Sequence, residues 1–298
     1  MSISPEAYTF ANYTIAGISF LACIFLFYLF YKANTKGVVS RIVVATGICD
    51  LIQALITILA SSVEATTFSC STLEFLLNWS VWASLLWSTS LAYLSYKSIA
   101  NSRGFSPERY WTQCSIAITA TSLFVSAIPL FSFSPVQYAF IGQDDFCSII
   151  PDTSFSSGWG IFILSLYQGL PLIVSIGITF ACYIGEINYV KNAIDESLRA
   201  KIGLEHPEKL MWYPITQLIV YAPHTLLIIF NLVSDASVNS FISFLFFCLF
   251  RFAGFLNTFV YLMINRPSAS KHELNATVLS EYDDRTRRRF SKDEFFDI

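Results

Sequence analysis

Six polar side chains stand inside long apolar stretches of this sequence: Asp50, Glu74, Asn78, Gln168, His224 and Arg251. A charge held in such surroundings is costly, so each ionisable one marks a candidate functional position. Glu74 and Asn78 are four residues apart and share one helix face. Glu74, Asn78, Gln168, His224 and Arg251 are expected to line a ligand-binding cavity that opens outward. The alternative for each is a hydrogen bond between helices that only fastens a bundle. Asp50 lies deeper, with Asn257 or Arg251 as its expected partner; a structural tie and a switch fit it equally well.

Catalysis fits these residues poorly. A zinc hydrolase in a membrane needs several His or acidic ligands, and of the three His only His224 falls in an apolar stretch. No Ser–His pair has a plausible third member. A retinal Schiff base would need a Lys in the last apolar stretch, which has none. The expectation is therefore no enzyme, no metal and no cofactor.

The elements that must position these residues follow from composition. Charged residues make up only 13% of the 298 and hydrophobic ones 54%, with mean hydropathy +0.56. A soluble domain carries about 25% charged residues, so the deficit points to lipid as the main solvent. Apolar stretches over 8–31, 38–62, 70–96, 110–131, 159–185, 210–233 and 240–264 are each long enough to cross a ~30 Å hydrocarbon core as a helix. The predicted fold class is an all-α membrane protein, a seven-transmembrane helix bundle. Pro129, Pro171, Pro214 and Pro223 fall within these stretches. Neighbouring helices can satisfy the carbonyls a proline frees, so kinks are predicted there.

Charge sets the orientation. Seventeen of the 18 basic residues fall on one side: Lys32, Lys36, Arg41, Lys97, Arg103, Arg109, Lys191, Arg199, Lys201, Lys209 and seven beyond Asn265. The other side has none and carries Glu6, Glu64, Asp144, Asp145, Asp152 and Asp235. The positive-inside rule then predicts the N-terminus outside and the C-terminus cytoplasmic. A miscounted span would scramble this asymmetry. The N-terminus lacks a basic region and a small-residue cleavage site, so the first span is expected to act as an uncleaved anchor. No internal repeat of the kind found in duplicated transporters is evident.

Of seven Cys, only Cys70 and Cys147 fall on the outer, oxidising side. They are expected to pair in a disulfide that ties the outer loop to the bundle, with two free thiols as the alternative. After span 5, Ile187, Val190, Ile194, Leu198 and Ile202 recur at helical spacing between charges, and Gly203 and Pro207 end the run. This predicts an amphipathic arm that packs on span 6, grips a partner or lies on headgroups. Residues 1–266 form the predicted membrane domain and 267–298 a polar, disordered cytoplasmic tail. There Arg287-Arg288-Arg289-Phe290-Ser291 could attract anionic lipid or a basophilic kinase.

Span 3, CSTLEFLLNWSVWASLLWSTSLAYLSY, resembles the third helix of the slime-mould cyclic-AMP receptors and the related fungal sugar-sensing receptors. The likeness lies in its opening Cys, its aromatic mid-section and the WASLLWSTSLAY run. Span 6, with Tyr213-Pro214 and Pro223, and the RFAGFLNTFVY segment of span 7 add to it. The resemblance implies a G-protein-coupled receptor of the plasma membrane. It also implies the Cys70–Cys147 bridge and a packing seam at Gly254, Phe255 and Asn257. Asp50, Pro214, Pro223, Gly254, Asn257 and Tyr261 are the expected switch and packing residues. Tyr96, Lys97, Arg103, Lys191, Ile194, Leu198 and Lys201 are the expected contacts to a heterotrimeric G protein.

Two departures limit the likeness. Span 3 ends Leu94-Ser95-Tyr96 rather than Asp-Arg-Tyr, and Thr258 follows Asn257 where rhodopsin-like receptors keep Pro. A rhodopsin-like activation switch is therefore not carried over. The acidic outer segments favour a neutral or cationic ligand. Cyclic AMP is disfavoured, because its phosphate would find only Arg251. The rival reading is a seven-helix solute transporter or channel that uses Asp50, Glu74 and Arg251 as a charged pathway. Nucleic acid is not an expected partner.

Overall fold

A computed structural model describes residues 5–33, 37–60, 66–100, 106–131, 136–141, 146–151, 157–192, 212–233 and 240–264. The helices are α1 (Pro5–Ala33), α2 (Val38–Ala60), α3 (Thr67–Ala100), α4 (Pro107–Ala127) and α5 (Ser157–Asn192), followed by α6 (Trp212–Val233), α7 (Ser240–Arg251) and α8 (Ala253–Ile264). A short 3-10 turn, Ile128–Leu130, ends α4. Strands β1 (Val136–Ile141) and β2 (Phe146–Pro151) form an antiparallel hairpin with Val136 opposite Pro151 and Phe140 opposite Cys147. The chain divides into two units, Met1–Val260 and Tyr261–Ile298. Of the second, only the helical residues 261–264 are described.

Within the first unit α3 is the hub. It packs against α2, α4, α5, α6 and both strands. The sequence explains why. Ser80, Ser84, Ser88, Thr89, Ser90 and Ser95 are all buried, and small hydroxyl residues let helix backbones approach closely inside a bundle. An apolar cluster of Leu85, Leu172, Val220, Tyr221, Phe250 and Ala253 joins α3 to α5, α6, α7 and α8. Many large apolar side chains point the other way, including Phe10, Leu21, Ile116, Phe124 and Ile173, each more than 60% exposed. Such a surface is stable only against lipid.

Among the described residues, four helical segments are long and apolar enough to cross a membrane: Phe10–Lys32, Val38–Ala60, Pro107–Leu130 and Phe162–Asn188. Phe241–Arg251 and Ala253–Met263 make a fifth if taken as one span bent by 53°. α3 is not among them, because the hydroxyls that make it the hub also lower its apolarity. The fold is a helical membrane bundle.

Prolines behave according to position. Pro171 and Pro223 lie inside α5 and α6. Pro129 sits in the 3-10 turn, and Pro214 in the first turn of α6, where a missing N–H is tolerated. The predicted continuation of span 5 is helical as far as Asn192. Ile194, Leu198, Lys201, Arg103 and the tail lie outside the described residues.

Candidate functional site

Polar groups inside the bundle form tiers along α3. The outermost is built on Asn78. Its amide nitrogen donates to the Tyr138 hydroxyl of β1 at 3.2 Å and to the Tyr167 hydroxyl of α5 at 2.7 Å. Each phenol then donates onward, Tyr138 to the Ser126 carbonyl and Tyr167 to the Val125 carbonyl, both at 2.8 Å. Those carbonyls belong to the last turn of α4, where Pro129 has no N–H for the Val125 carbonyl, which accepts from Ile128 N–H as well as from Tyr167. The 3-10 turn that holds Pro129 is thus tied to two neighbouring elements at once. Tyr138 is 5% exposed, and Val136 and Leu164 are buried beside it. Burial pushes the Tyr138 phenol well above its ordinary range, so it stays a donor. Trp82 meets the edge of the Tyr167 ring at 6.0 Å. Asn78 therefore fastens α3, α4, α5 and the hairpin.

The next tier surrounds Arg251, the last residue of α7. The helix breaks at Phe252, so the Arg251 carbonyl is left at a corner, and the Ser19 hydroxyl of α1 donates to it at 2.8 Å. The guanidinium donates to the Thr57 hydroxyl of α2. It also lies over the rings of Phe247 and Phe250, 4.8 and 5.4 Å from their centroids, a cation–π arrangement. Glu74, half-buried on α3, lies within electrostatic reach of Arg251. Gln168 and His224 occupy helical positions in α5 and α6, and their side chains are outside the described set.

At the deepest tier Asp50 is 2% exposed. Asn257 donates to its Oδ2 at 2.7 Å and Ser84 to its Oδ1 at 3.1 Å, so α2, α3 and α8 meet on one carboxylate. Of the two partners expected for Asp50, Asn257 donates to it directly. Gly254 stands one turn before Asn257, and a Cβ there would lie 2.8 Å from Cys23 Sγ and 3.3 Å from the Ser19 carbonyl. Only glycine allows α8 to approach α1 and α2 this closely. Around this tier, Gln53 donates to the Tyr221 hydroxyl at 3.4 Å and Gln217 to Ser88 at 3.0 Å, and Thr89 meets Ser175.

Near the α3–α4 connection, the Tyr110 hydroxyl donates to the Ser90 carbonyl at 2.9 Å. Tyr93 stacks on Tyr110, and Arg41 pairs with Glu108 at 2.7 Å. A Cβ on Gly185 would meet the Tyr96 ring at 2.6 Å, so α5 crosses α3 closely there. Glu186 beside it is 4% exposed. Sequence reasoning missed Ser84, Thr57, Ser19, Glu186 and the two tyrosines. Ser80, Ser84 and Ser88 at four-residue spacing were a readable stripe. Tyr138 and Tyr167 gave no signal, since their role depends on carbonyls at the far end of α4.

No protein-family model matches the chain, and no curated protein matches it. Among solved structures it is similar to squid rhodopsin, whose crystal structure superposes with TM-score 0.68 over 88% of this chain and 83% of that one, at 16% sequence identity. That identity speaks for the fold alone, and the fold of this chain is a helical bundle like that of squid rhodopsin.

Proposed function

We propose that the chain is a multi-pass plasma-membrane receptor with seven spans, its N-terminus outside and its tail cytoplasmic. It binds an extracellular ligand in an outward-facing cavity and activates a heterotrimeric G protein from its cytoplasmic face. The rhodopsin-like fold over 88% of the chain carries this reading. The membrane domain is 1–266 and the tail 267–298. Activation of this kind is a shift between bundle states, so it needs no catalytic residue and no cofactor.

Glu74 and Arg251 form the centre of the cavity, with Gln168 and His224 adding to its wall. Asn78 acts on the site by holding the hairpin over it. A neutral or cationic ligand is favoured and cyclic AMP disfavoured, because the outer segments are acidic and hold no Lys or Arg. Cys70 is disulfide-bonded, while Cys23, Cys49, Cys114, Cys182 and Cys248 are free. We assign Cys147 as the partner of Cys70, since its strand packs against α3.

Bound ligand favours a state in which α5 and α6 open inward. Pro171 and Pro223 are the pivots, with Pro214 at the start of α6. Asp50, Gly254 and Asn257 make up the switch and packing seam, and Tyr261 is a further switch residue. Tyr96, Lys97, Arg103, Lys191, Ile194, Leu198 and Lys201 meet the G protein.

The test is guanine-nucleotide exchange on a panel of heterotrimers with the chain in lipid nanodiscs, with and without extracts of its native surroundings. Exchange above empty discs, lost on deleting residues 188–201, is the expected result. Ligand-stimulated exchange unchanged in Arg251→Ala would remove the centre of the cavity. No exchange with any heterotrimer, together with solute flux in liposomes, would replace the receptor with a transporter using Asp50, Glu74 and Arg251.

A further inference from the structure

Glu186 is a buried carboxylate that no part of the proposed signalling uses. It lies towards the C-terminal end of α5 and is 4% exposed. Across the contact with α3 stands Ser95, itself 8% exposed. The Ser95 hydroxyl faces the Glu186 carboxylate, yet its oxygen closes no hydrogen bond. Among the described residues no Lys or Arg forms an ion pair with Glu186. Lys97, two residues beyond Ser95, turns its ammonium over the Tyr93 ring instead, 5.5 Å from the centroid.

Packing carries Glu186 into this contact. A Cβ on its neighbour Gly185 would lie 2.6 Å from the Tyr96 ring, so the α5 backbone runs directly against α3. Cys182, one turn before Glu186 on the same face, is buried and within electrostatic reach of it. Leu94, beside Ser95, is buried as well. These neighbours hold the helices together. The polar pair works against them, because buried polar groups are nearly always hydrogen-bonded and a carboxylate kept from water without a donor or cation is costly. Separating the helices at this end would hydrate both groups.

We propose that Glu186, facing Ser95, loads this end of the α3–α5 contact toward opening, so that packing alone keeps it closed and only by a small margin. Elements that must move are drawn from the least stable parts of a fold. The opening is the α5 half of the bundle shift proposed above, and its place in signalling rests on that reading. The loading does not, since it follows from burial and the missing donor.

The experiment is a pulsed dipolar distance measurement on the full chain in nanodiscs, with spin-labelled amino acids incorporated at Thr112 and Ile184. Thr112 of α4 and Ile184 of α5 are both exposed, so the labels leave the contact intact. The chain with Glu186 in place is expected to give two distances, a major closed one and a minor longer one. Glu186→Gln removes the charge, and Glu186→Leu removes the polar group as well. Both should shrink the longer population, Glu186→Leu by about fivefold or more, as when an apolar side chain replaces a buried charge that lacks a partner. Glu186→Leu should also raise the melting temperature. A single distance with Glu186 in place would overturn the proposal. So would a longer population that is unchanged or enlarged in Glu186→Leu, or a lower melting temperature, because Glu186 would then not oppose closure. Neither readout needs a ligand or a G protein, so the receptor reading can fail while this test stands.

Discussion

Asp50 shows how a buried charge can serve structure. Its two oxygens are held by Ser84 and Asn257, so three helices depend on one carboxylate. Asn257→Ala removes the donor to Oδ2 and leaves that oxygen unsatisfied in the interior, a loss of about 1–3 kcal/mol. Asp50→Asn in the same chain removes the charge that needed the donor, so the double variant should lose less than the sum of the singles. Thermal unfolding in nanodiscs measures all three, and strict additivity would mean that the bond at 2.7 Å carries no coupling. At the outer tier, Tyr138→Phe strips the Ser126 carbonyl of its donor and Asn78 of one acceptor. Its expected loss is also about 1–3 kcal/mol. Tyr167→Phe should behave alike, and the pair should be non-additive because both phenols depend on Asn78.

At the scale of elements, glycines separate close packing from open surface. Gly254→Ala drives a methyl into Cys23 Sγ and the Ser19 backbone carbonyl, and overpacking of this kind costs about 1–3 kcal/mol. Gly177 in α5 has nothing within 4 Å of a Cβ, so Gly177→Ala should be neutral or slightly stabilising through helix propensity. Comparing their melting temperatures in the same lipid checks the α1–α8 approach, and equal behaviour would contradict it. Which elements were legible in the sequence follows the same logic. Apolar runs announced the helices, and Pro129 announced a disturbance at the end of α4. The break at Phe252 went unseen, although Gly254 stands two residues beyond it. At the break Ser19 of α1, more than 200 residues away, donates to the Arg251 carbonyl. A bond between distant positions leaves no local pattern to read.

For the molecule as a whole, two independent lines meet. The rhodopsin-like fold comes from backbone geometry at 16% identity, where side chains contribute little. The expectation of a helical membrane bundle came from hydropathy and from 17 of 18 basic residues falling on one side. The candidate site was legible in part for a physical reason. Charges in apolar runs stand out, so Asp50, Glu74 and Arg251 were found, but hydroxyls and phenols that complete their surroundings look like ordinary bundle residues. Charge asymmetry makes a prediction the fold does not. Lys and Arg resist translocation across a bilayer, whereas Asp and Glu contribute little. An epitope placed before Met1 should be reached by antibody on intact cells, and one placed after Ile298 only after permeabilisation. Replacing Lys32 and Lys36 with Gln weakens the first retention signal without touching the Arg41–Glu108 pair, and should leave a minority of molecules inverted. Tail epitopes exposed on intact cells with the natural sequence would reverse the orientation. The cavity proposed around Glu74 and Arg251 would then face the cytoplasm, and the receptor reading would fall while the fold stood.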